Sequence, residues 1–71
     1  MDAINTVELK KVLAEQNIDT IKEFAEVCDI DRNIAAKVYR GKAKPGSETM
    51  FKIVAGLKLS PTRAGKIFFT F

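Results

Sequence analysis

The chain has no histidine, and Cys28 is its single cysteine. Those two shortages remove most of the chemistry a small domain could carry. A tetrahedral zinc site draws its ligands mainly from histidine and cysteine, and a disulfide framework needs cysteines in pairs. Neither staple is open to this chain. Without histidine the usual acid–base group at neutral pH is missing, and Cys28 or a serine has no evident base to activate it. The glycines at 41, 46, 56 and 65 fit neither the dinucleotide fingerprint nor the phosphate loop. The carboxylates are plentiful, but Glu23 and Glu26 share a helix with no second pair to complete a metal site. No window alternates apolar and polar residues as a half-buried strand does, and no apolar run approaches the roughly 20 residues of a membrane span. The amino-terminal stretch carries Asp2 and Glu8 and lacks the basic-then-hydrophobic profile of a secretory signal. The expectation is a cytoplasmic protein that is not an enzyme and uses no metal or cofactor. A lone cysteine agrees with a reducing compartment.

What is present is a chain of 71 residues, 46% hydrophobic and 30% charged. That is too apolar for a disordered tail, and it is short enough for one domain covering residues 1–71. A fold this small without staples depends on efficient helix packing or on a partner, which leaves homo-oligomerisation open. Charge is unevenly spread. Residues 1–36 hold four cationic side chains against eight acidic ones, whereas residues 37–71 hold eight against Glu48 alone. The basic second half suits a polyanion or an acidic partner, because cations gain from counterion release at phosphates. Ordinary solvated helix faces give the same pattern.

Start and stop signals place five short helices. Asn5 with Glu8 can form a capping box, and Leu9, Val12, Leu13 and Gln16 then stripe a first helix ending near Asn17. Thr20 with Glu23 repeats that pattern ahead of Ile21, Phe24, Ala25 and Cys28. Asp31 is placed to cap a third helix from Arg32 to about Arg40, with Ala35 and Val38 inward and Gly41 ending it. After the loop from Gly41 to Gly46, Ser47 caps a fourth helix with Met50, Ile53, Val54 and Leu57 on one face. Ser60-Pro61 opens a fifth, since proline at the first helical position loses no hydrogen bond. The end, with Ile67, Phe68, Phe69 and Phe71, is too apolar to hang free. It reads as core or as a subunit or partner contact. A membrane foothold flanked by Arg63 and Lys66 is the weaker reading.

Helices two and three are separated by only a few residues around Asp29-Ile30. This is the spacing of a helix-turn-helix, in which one helix braces and the next enters the DNA major groove. From Thr20 to Leu59 the chain resembles the Cro and phage-repressor (XRE-like) family through TIKEFAEVCDI, DRNIAAKVYRGKAKP and SETMFKIVAGLKLSP. Agreement is strongest at Phe24-Ala25, where a small residue allows close helix crossing, at Arg40-Gly41-Lys42 and at Leu57-Lys58-Leu59-Ser60. The resemblance implies an all-α, lambda-repressor-like bundle with its helix-turn-helix at about residues 20–40. It implies that Arg32, Asn33 and Lys37 reach base edges, each good pairing supplying about 1–3 kcal/mol of discrimination. Lys22, Arg40, Lys42 and Lys44 would hold phosphates and fix register.

The departures from that pattern point elsewhere. Ile21 stands where many relatives carry a glutamine that touches the DNA backbone, and Asp29 replaces the usual glycine of the turn. Glu26, Asp29 and Asp31 set negative charge beside the phosphate track, while Ile34 and Ala36 make the outer side of helix three apolar, as suits a protein partner. Matches and departures together resemble a Cro-position antirepressor. That resemblance implies a phage transcriptional regulator whose partner is the DNA-binding amino-terminal domain of the phage repressor. Its task would be to modulate operator binding in the lytic–lysogenic switch. On this reading Ile21, Glu26, Asp29, Asp31, Arg32, Ile34 and Ala36 form the partner-binding face, with the carboxylates mimicking phosphate. The alternative is a Cro-like dimer that reads operator DNA directly through helix three.

Overall fold

Five α-helices follow one another along the chain: α1 (Thr6–Glu15), α2 (Ile21–Cys28), α3 (Arg32–Tyr39), α4 (Ser47–Leu57) and α5 (Pro61–Phe68). The computed structural model describes residues 3–69, and no strand forms among them. Three starts carry the expected N-cap bond, but neither capping box closes. The Asn5 N–H goes to the Ile67 carbonyl and Glu23 accepts from Thr20 Oγ1, so the glutamates do not return the bond to the cap N–H. Asn5 Oδ1 accepts the Glu8 N–H at 3.2 Å, Thr20 Oγ1 accepts the Glu23 N–H at 3.1 Å, and Ser60 Oγ accepts the Arg63 N–H at 3.1 Å. Each bond satisfies one of the open donors of a first helical turn.

Two starts differ from expectation. Asp31 is extended ahead of α3, yet its carboxylate makes no capping bond; only its carbonyl takes the Ala35 N–H, at 2.9 Å. The opening residues of α3 are exposed, so water can serve donors that a cap would otherwise satisfy. At α4 the N-cap is Gly46, again without a side-chain bond, and Ser47 is already helical. A helical Ser47 cannot be the extended residue that capping requires.

The core takes residues from every helix: Leu9, Val12 and Leu13; Phe24, Ala25 and Cys28; Ala35 and Val38; Ile53 and Leu57; Ile67 and Phe68. Ile4 and Ile18 join from outside the helices, and no polar or charged side chain is buried among the described residues. Ile67 and Phe68 therefore close their own domain. Phe69 is half exposed, and Phe71 lies outside the described residues.

Two devices fix how the helices seat. A Cβ on Gly56 would lie 2.6 Å from the Val27 carbonyl oxygen and 2.8 Å from Cys28 Cα, so α4 rests backbone to backbone on the end of α2. Sequence placed a close crossing at Ala25, which is buried; Gly56, which the sequence reading did not single out, is a point of backbone contact between α4 and α2. On the other side, α1 packs against α5. The Asn5 N–H donates to the Ile67 carbonyl at 2.8 Å, and Arg63 donates to both Glu15 oxygens at 2.8 and 2.6 Å. Gln16 Nε2 adds a bond to the Leu57 carbonyl at 2.6 Å.

Candidate functional site

The turn between α2 and α3 is a ridge built from Asp29, Ile30 and Asp31. Its backbone folds back on α2: the Asp29 N–H donates to the Glu26 carbonyl at 3.3 Å and the Ile30 N–H to the Ala25 carbonyl at 3.0 Å. This closure needs a left-handed residue, and Asp29 supplies it at φ 54 and ψ 49. Aspartate tolerates that conformation less well than glycine. A carboxylate at a helix C-terminus also faces the negative end of the helix dipole. Asp29 is thus unfavourable locally on two counts.

Hollows lie on both sides of the ridge. The first, between α2 and the start of α3, is lined by Lys22, Ala25, Glu26 and Arg32 together with the ridge. In the second, Ile34 of α3 and Glu48, Thr49 and Lys52 of α4 face the same three ridge residues. Four sequence-predicted partner residues, Glu26, Asp29, Asp31 and Arg32, therefore meet around one ridge, and Ile34 joins them with 40% of its surface exposed. Two do not join them. Ile21 is half-buried against the core and Ala36 is half-buried, so neither is a free apolar contact.

Sequence reasoning missed Glu48, Thr49 and Lys52. Glu48 and Lys52 stand four residues apart and so share one side of α4, but that this side looks at the turn follows only from where Gly56 seats the helix.

The acidic side chains divide by location. Glu8 approaches Lys11 and Arg63, Glu15 binds Arg63, and Glu23 accepts from Thr20 Oγ1. Among the described residues, Asp19, Glu26, Asp29, Asp31 and Glu48 enter no ion pair or side-chain hydrogen bond; the last four line the two hollows, whereas Asp19 lies in a separate hollow beside Lys10 and Tyr39.

The predicted DNA-contacting residues overlap this region. Lys22 and Arg32, both exposed, line the first hollow, and Asn33, Lys37, Arg40 and Lys42 are exposed outside both linings. Lys44 is exposed as well, with its ammonium 4.6 Å from the centre of the Phe69 ring. Burial raises the Cys28 thiol to about 11, which leaves it protonated and inert at neutral pH. Among the described residues no three potential ligands gather to hold a metal ion, and no helix is long and apolar enough to cross a membrane. No family model, curated protein or solved structure matches the chain.

Proposed function

We propose that α2, the turn and α3 act as a helix-turn-helix whose outer face is turned toward a protein, and that the chain is an antirepressor. Its partner is the DNA-binding domain of a phage repressor, whose basic surface the ridge engages in place of operator phosphates. The observation that carries this reading is the set of exposed, unpaired carboxylates Glu26, Asp29 and Asp31 beside the exposed Ile34. Asp29 supports it further by its place: it lines both hollows, at a helix end where the dipole disfavours negative charge. Duplex DNA would meet those carboxylates as repulsion. Calorimetry with the amino-terminal domain of the cognate repressor tests the reading: reversing Asp29 and Asp31 to lysine weakens capture, and unchanged affinity removes the case for mimicry.

Direct operator binding is favoured by a different observation, the exposure of Arg32, Asn33 and Lys37 along α3 with Arg40 and Lys42 beyond them. Under that reading Lys37→Ala relaxes sequence preference, whereas Lys42→Ala weakens all sequences alike and flattens the salt dependence. A protein that retards no control-region DNA at low salt excludes it.

A further inference from the structure

Resting on that functional reading, we infer that the docking face extends onto α4. The hollow between the turn, α3 and α4 receives one long cationic side chain of the partner, arginine or lysine, with Glu48 as the wall opposing Asp29 and Asp31.

Three elements build this hollow, so its shape is a product of the tertiary fold. Its lining includes Ile30, partly buried, and Ile34, which offers apolar surface to the methylene stem of such a side chain. Asp29, Asp31 and Glu48 surround it with Lys52 as the only cation, whereas the hollow on the other side of the ridge sets Lys22 and Arg32 against Glu26 and the same two aspartates. The second hollow is therefore the more negative of the two. Neither Glu48 nor Lys52 forms an ion pair among the described residues, so the carboxylates there are not already neutralised. A cation entering between acidic groups on two elements gains from each, and the interaction fixes the register of the partner as well as its charge.

Glu48 also suits the first turn of α4 because of the helix dipole, so capture must be read apart from stability. The experiment is calorimetry of the full chain with the repressor's amino-terminal domain, with urea unfolding of each variant alongside. Glu48→Lys weakens capture by about tenfold or more, Glu48→Gln weakens it less, and Lys52→Ala strengthens it. Asp19→Lys, which makes the same charge change in a separate hollow beside Lys10 and Tyr39, leaves capture within about twofold. If Glu48→Lys and Glu48→Gln bind like Asp19→Lys while Asp29→Lys loses affinity, the α4 wall is overturned and the functional reading stands. If Asp29→Lys, Asp31→Lys and Glu48→Lys all bind as the parent does, both fall. Tighter binding of duplex DNA by Glu48→Lys, with repressor capture unchanged, also overturns the inference.

Discussion

Asp29 concentrates the tension between stability and use. A glycine at φ 54 would close α2 equally well and would remove the charge from the wrong end of the helix dipole. It would also enlarge the freedom of the unfolded chain, which offsets part of that gain. Asp29→Gly is expected to leave stability unchanged or raise it by up to about 1 kcal/mol, measured by urea unfolding. The same variant should capture the repressor domain more weakly. A clear loss of stability would show instead that the carboxylate is structural. Asp31 differs in kind: it precedes α3, where the dipole favours an anion, and its carboxylate is free because it does not cap.

At the scale of helices, Gly56 decides how α4 meets α2. Alanine gains about 1 kcal/mol of helix propensity, but its Cβ would press into the Val27 carbonyl and Cys28 Cα, backbone atoms that cannot swing aside. Overpacking costs about 1–3 kcal/mol, and a clash with backbone belongs at the upper end or beyond. Gly56→Ala should therefore lose about 2 kcal/mol net by urea unfolding, and the shifted α4 should carry Glu48 and Lys52 away from the ridge. The α1–α5 pair has its own signature in acid. Its hydrogen bonds to Arg63 hold the Glu15 carboxyl below its ordinary 4.5. A carboxylate depressed in the folded state stabilises the fold above that ordinary value, and the contribution is lost as pH falls through the lower folded value. Wild type should thus exceed Glu15→Gln in thermal midpoint near about pH 6, and the gap should close by about pH 2.

All five helices were legible in the sequence because caps and apolar spacing are local signals: Asn5, Thr20 and Ser60 need only their own first turn. The caps assigned to Asp31 and Ser47 were not, since solvent access and a one-residue shift at Gly46 are decided outside the motif. The ridge of the candidate site was legible through the acidic residues around Asp29. Its α4 wall was not, because residues some twenty positions apart meet there only through the seating of Gly56. Ile21 looked like a free contact because the helix-start pattern does not show how far the core reaches beneath it.

Across the whole molecule, charge is uneven. Four unpaired carboxylates, Glu26, Asp29, Asp31 and Glu48, line the hollows beside the α2–α3 turn and outnumber Lys22, Arg32 and Lys52 there, while the exposed Lys37, Arg40 and Lys42 lie outside both linings. A partner with a basic face is oriented by this imbalance before contact, and salt screens such steering. Raising salt from about 0.05 to about 0.5 M should slow association with the repressor domain more than it changes dissociation, as stopped-flow and competition measurements can separate. Equal effects on both rates would place the decisive charges inside the contact, not around it.

The pairing of α1 with α5 has a consequence for synthesis. Leu9, Val12 and Leu13 are made early, and the Ile67 and Phe68 that complete the same core are made near the end of the described chain. A nascent polypeptide folds only when the segments of its core are all available. Translation thus has to pass Phe68 before the bundle can shut, and a product halted ahead of Pro61 leaves the ribosome with the apolar flank of α1 that α5 would cover still open to water and to proteases.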